Sequence, residues 1–152
     1  MKVYSGRNLD LVAYPLGGLG AGTLCLSGTG ALGGISLRHK PEMYHDPVVF
    51  SALAIRPADG GRGDADRPVT ARVVEAPVPD PYFFLRKRQD GGDSLGGTGN
   101  GLSGSNYGLP RFGTGTFSAR FPFATVRLDD PDLPVTAEIL GWSTFLPGDE
   151  NR

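Results

Sequence analysis

The chain has 152 residues and a formal net charge of −1 at pH 7. That length makes one domain the natural expectation, and the near-neutral charge gives no electrostatic case for nucleic acid or an anionic membrane as partner. The single cysteine, Cys25, excludes an intrachain disulfide, and no stretch approaches the ~20 apolar residues of a transmembrane span. Arg7, Asp10 and several glycines interrupt the first twenty residues, so no signal peptide is visible and the compartment stays open. The 24 glycines and 13 prolines fall mostly between alternating apolar runs and read as turns rather than as global disorder.

Taken in chain order, the first notable segment is Tyr14-Pro15-Leu16-Gly17-Gly18-Leu19-Gly20-Ala21-Gly22-Thr23. It admits two readings, a phosphate-cradling loop or a turn leading into a β-sheet, and the absence of a following Lys-Ser/Thr removes the P-loop. Thr23–Ser27 then alternates like a strand, and Cys25 within it reads as a small core residue. Gly28-Thr29-Gly30-Ala31-Leu32-Gly33 matches G-x-G-x-x-G, yet no helix can open there, because Gly34-Ile35-Ser36-Leu37 looks like a strand and Pro41 follows closely. A glycine hairpin turn from Ser27 to Gly33 is the better reading. Val48–Arg56 is apolar on both faces and predicts a buried strand. Arg72–Glu75, Thr116–Arg120, Phe123–Leu128 and Val135–Leu140 complete the predicted strands, with Asp129-Asp130-Pro131-Asp132 as a turn between the last two. No window carries the apolar period of a helix. Many short strands with turn signals between them predict an all-β chain, an antiparallel β-sandwich or barrel. Residues 86–109, including Arg86-Lys87-Arg88 and the glycine-rich run behind it, hold too few apolar groups to be fixed by burial and predict a mobile surface loop.

Several constellations invite chemistry. His39, Glu42, His45 and Asp46 have a ligand-like spacing, but Pro41 and Pro47 deny them a common helix face, and they read as an incidental loop cluster. Asp64 with Asp66, Asp129 with Asp130 and Asp132, and Asp149 with Glu150 could pair for acid–base work on a glycoside. Each falls in a turn, a loop or the chain end and reads as solvated. No G-x-S-x-G elbow is present. Phe112, Phe117, Phe121, Phe123, Trp142 and Phe145 read first as core, with a sugar-stacking platform or a domain contact as the alternative.

Together these segments resemble one family. Tyr4–Leu9 and Ala13–Thr23 are similar to the start of the N-terminal domain of glycoside hydrolase family 116, which includes bacterial β-glucosidases and non-lysosomal glucosylceramidases. Ser36–Glu42, Ala71–Pro77, Tyr107–Phe112, Phe117–Val126 and Gly141–Asp149 resemble a bacterial branch of it, in the family's order.

The resemblance implies a β-sandwich domain over residues 1–152, partial or complete because family members continue with further strands, followed in the parent protein by an (α/α)₆ catalytic barrel that this chain does not contain. It implies retaining β-glycosidase chemistry on a β-glycoside or glycolipid, carried by two barrel carboxylates. No catalytic residue can therefore be assigned here, and no cofactor or metal is expected. The implied partner is the helical domain. On this reading Pro15, Gly17, Gly18, Gly20 and Gly22 form a structural turn into the first sheet. Replacing Gly18 or Gly20 by Val is expected to harm folding rather than ligand affinity. Arg38 and His39 are the candidate contacts to a substrate cleft, as polar groups in a turn-flanked, strand-like segment. A stand-alone carbohydrate-binding module and a purely structural sandwich are the competing functions.

Overall fold

The computed structural model describes residues 1–17, 22–38, 40–42, 50–56, 69–77, 85–87, 93–95, 109–144 and 148. Among them there is no α-helix, only a 3₁₀ turn at Gly6–Leu11 and twelve strands. The strands are β1 (Val3–Ser5), β2 (Ala13–Pro15), β3 (Thr23–Ser27), β4 (Leu32–Leu37), β5 (Lys40–Glu42) and β6 (Ala52–Ile55). They continue with β7 (Thr70–Val73), β8 (Leu85–Lys87), β9 (Asp93–Leu95), β10 (Thr114–Arg120), β11 (Phe123–Asp129) and β12 (Ala137–Trp142).

Two four-stranded sheets carry the fold, ordered β1-β10-β11-β12 and β2-β3-β4-β5, and every strand pairing in them is antiparallel. Two hairpins, β6-β7 and β8-β9, accompany them. The all-β antiparallel expectation therefore holds. The period-two pattern of β11 shows why: Ala124, Val126 and Leu128 are buried, while Phe123 and Arg127 face outward. The inner faces of both sheets meet in one core. Leu26 comes from β3, Phe117 from β10, Val126 and Leu128 from β11, and Leu9 from the 3₁₀ turn. Phe112 and Ala76 close it from the segments beside β7 and β10. Tyr4 and Tyr14 tilt against Phe117 with ring centroids 6.3 and 6.4 Å away, in the range of favourable aromatic pairs.

The structure departs from the sequence reading at several points. Strand β6 is shorter than Val48–Arg56, and only one of its faces is covered: Leu53 and Ile55 are half-buried, whereas Ala52 and Ala54 are exposed. It belongs to a two-stranded hairpin with β7. Inside the stretch predicted as a loop, Arg86 and Lys87 pair with Ser94 and Asp93, so β8 and β9 form a hairpin there; the rest of 86–109 up to residue 108 lies outside the described residues. Strands β1, β2, β5, β8 and β9 were not legible. Each has only three residues, too few for a period to show.

Leu128 is fully buried in β11. Leu128→Ala should therefore destabilise the chain by about 2–5 kcal/mol in urea melts, the range for a truncated core leucine.

Candidate functional site

Three places carry the chemistry of the described chain. The first is the β3–β4 connection. The Ser27 N–H donates to the Ala31 carbonyl at 2.8 Å, the Gly30 N–H to the Ser27 carbonyl at 3.1 Å, and the Ala31 N–H to Ser27 Oγ at 3.0 Å. Gly30 supplies the left-handed φ of +96° that closes this loop. The G-x-G-x-x-G segment is thus a self-satisfied hairpin, with no helix whose amides could face a phosphate.

Before that hairpin lies the glycine turn. Pro15 ends β2 opposite Cys25, and the Leu16 N–H donates to the Leu24 carbonyl at 2.7 Å. Gly22 has φ +95°, and a Cβ there would lie 2.5 Å from the Ser36 carbonyl oxygen. A Cβ on Gly17 would overlap the Gly22 carbonyl. Gly18 and Gly20 lie outside the described residues. On the next turn Arg38 is exposed, with φ +53°, between β4 and β5, where Leu37 pairs with Lys40. His39, His45 and Asp46 of the polar cluster lie outside the described residues, as do Asp64, Asp66, Asp149, Glu150 and Phe145. Among the described residues no group of three His, Cys, Asp or Glu converges. Cys25 is half-buried, and desolvation pushes its thiol upward, away from thiolate character.

The second place is a pair of ion pairs that the sequence reading missed. Arg72 Nε donates to Asp130 Oδ2 at 2.7 Å, and Arg111 Nε donates to Glu75 Oε2 at 3.3 Å. The Asp130, Glu75 and Arg111 side chains are all at least nine-tenths buried. Asp130 also accepts the Asp132 N–H at 2.9 Å, as the turn chemistry predicts. It is not the solvated carboxylate expected from its turn position. Nothing local marks these pairs, because the partners are far apart in the chain. Arg72, before all else, holds the Asp130 carboxyl below its ordinary value, and the Thr136 hydroxyl does the same for Asp129.

The third place is the outer face of β10-β11-β12. Phe112 and Phe117 are core, as expected, but Phe121, Phe123 and Trp142 stand 51%, 52% and 57% exposed. For these three rings the core reading is wrong. The register decides it, because Phe123 and Trp142 are direct partners on the face opposite Ala124 and Gly141.

Fold and site define an antiparallel sandwich-type domain, with no α-helix among the described residues, whose described carboxylates are mostly tied up in structural pairs. The model of the family described as beta-glucosidase 2, glycosyl-hydrolase family 116 N-term matches residues 13–152, and the chain belongs to that family. No curated protein matches it. Among the described residues no helix is long and apolar enough to cross a membrane.

Two outcomes follow. Gly22→Val forces a β-branched residue into the left-handed region against a carbonyl, and should cost about 1–3 kcal/mol or more in urea melts. The Asp130 carboxyl titrates lower in the folded chain than the ~3.9 of an unfolded aspartate, so its stabilisation is complete above that value and fades as pH falls through the folded one. Asp130→Asn should then melt below the wild type at pH 7, with the gap closing below about pH 4, as read from melting temperature against pH.

Proposed function

We propose that this chain is the non-catalytic N-terminal sandwich of a retaining β-glycosidase, bracing a helical catalytic barrel that follows it in the parent protein. The family match over residues 13–152 carries the reading. On it, the domain spans 1–152, the two catalytic carboxylates belong to the barrel, and the whole enzyme is a bacterial β-glucosidase or glucosylceramidase-like protein acting on a β-glycoside or glycolipid. Pro15, Gly17, Gly18, Gly20 and Gly22 shape the turn into the sandwich, and Arg38 with His39 offers polar groups to one wall of the cleft.

The electrostatics support an inactive domain. A glycosidase acid must stay protonated near neutral pH, which requires a carboxyl pushed upward. Asp129 and Asp130 are pushed the other way, each by hydrogen bonds to its charged form. Glu75 is committed to Arg111 in the interior.

The test uses an aryl β-glucoside and two proteins, this chain and the full product of its reading frame. The chain alone should release no aryl alcohol, while the full product should turn over with retained anomeric configuration. Hydrolysis by the chain alone, or a reading frame that never reaches a helical domain, would overturn the reading.

A further inference from the structure

The outer face of the β1-β10-β11-β12 sheet can be read row by row from its register. Nearest the Phe121-Pro122 turn, Arg120, Phe123 and Trp142 stand side by side on successive strands. The next row is Val3, Ser118, Thr125 and Leu140. Behind it comes Ser5, Thr116, Arg127 and Glu138, which is wholly polar. The exposed apolar surface is therefore confined to one end of the face: Phe123, Trp142, Leu140 and Val3, with Phe121 in the adjoining turn. Neighbouring strands lie about 4.8 Å apart, so Phe123 and Trp142 emerge as one aromatic strip on the scale of a short oligosaccharide.

We propose that this strip is a carbohydrate-binding surface for β-linked, glucose-configured oligosaccharides. Such sugars have flat C–H faces and a rim of equatorial hydroxyls, a shape that suits rings surrounded by hydrogen-bonding groups. The rings meet that need, and the rim is present too. Arg120, exposed, offers guanidinium donors at the end of the first row, and the Ser118 and Thr125 hydroxyls stand in the second. The charge fits a neutral ligand. Among the described residues, the carboxylate of this face nearest in register is Glu138, two rows from Trp142 and directly across from Arg127. A stable protein contact needs roughly 20–30 residues on each side, and the apolar part of this face ends after two rows. Its extent fits a small ligand better than a second copy of the chain. This surface is separate from the barrel-bracing role and does not depend on it.

The chain's only tryptophan is Trp142, so its fluorescence reports on this strip alone. Titration of the chain with cellopentaose should give a saturable change in Trp142 emission. Calorimetry with the same probe should show binding weakened by about tenfold or more in Phe123→Ala and Trp142→Ala, the loss of roughly 1.4 kcal/mol that one stacking ring supplies. Trp142→Tyr should keep most of the affinity. Both alanine variants should melt within a few degrees of the wild type, because neither side chain is in the core. The proposal falls if emission does not saturate, or if the alanine variants bind as the wild type does. It falls as well if sedimentation shows dimers that these variants dissolve, or if the Trp142 emission of the full reading-frame product, taken as its difference from the Trp142→Phe variant, is shielded from acrylamide without sugar. Either of those last results would make the strip a protein contact.

Discussion

The four residues from Val73 to Ala76 hold the separate parts of this chain together. Val73 donates to the Pro110 carbonyl at 2.7 Å and Val74 to Ser51 at 2.8 Å. Ala76 donates to Thr29 at 2.8 Å, while the Glu75 carbonyl accepts from Phe112 at 3.0 Å. One short run thus joins the β6-β7 hairpin, the β3–β4 turn and the segment leading into β10. Buried backbone groups must be paired, so this run leaves little freedom to shift any of the three. The Glu75–Arg111 pair lies beside it with both charges out of water. Removing either partner would take this pairing away from a charge that stays buried, which costs more than the pair itself contributes.

This arrangement explains which parts of the fold could be read from the sequence. Strands β10 and β11, with seven residues each, are long enough for a period of two to show, so the strands themselves were legible, while which face of β11 turns inward is set by the core it packs on. The three-residue strands have no period to read. The β3–β4 hairpin was legible from its glycines, since they govern a local turn. The ion pairs were not, because Arg72 meets Asp130 across 58 positions and no local pattern encodes that meeting. Asp130 was assigned to water on the evidence of its neighbours, whereas its surroundings are set by β7.

The aromatic residues show the limit from the other side. Composition argued that phenylalanines in a strand-rich segment should be core, and Phe117 obeys. Phe123 begins a strand whose even positions point inward, so its odd position places it outward whatever its hydrophobicity. Register overrules residue type there. The same logic bears on function: the carboxylates of the 129–132 turn, which sequence would offer as an acid–base pair, are drawn into structural hydrogen bonds that keep Asp129 and Asp130 ionised.

The order β1-β10-β11-β12 places the first strand of the chain and the last described strand on opposite edges of one sheet. Val3 pairs with Ser118 and Ser5 with Thr116. Among the described strands β1 pairs with β10, so as the polypeptide leaves the ribosome that pairing waits until β10 has been synthesised, while β2 to β4 can already pair with one another. Such distant pairing is slow to close, and an unpaired strand edge is exposed throughout the wait. Synthesis of this protein thus has a built-in interval in which its N-terminal strand depends on the rest of the cell to leave it alone.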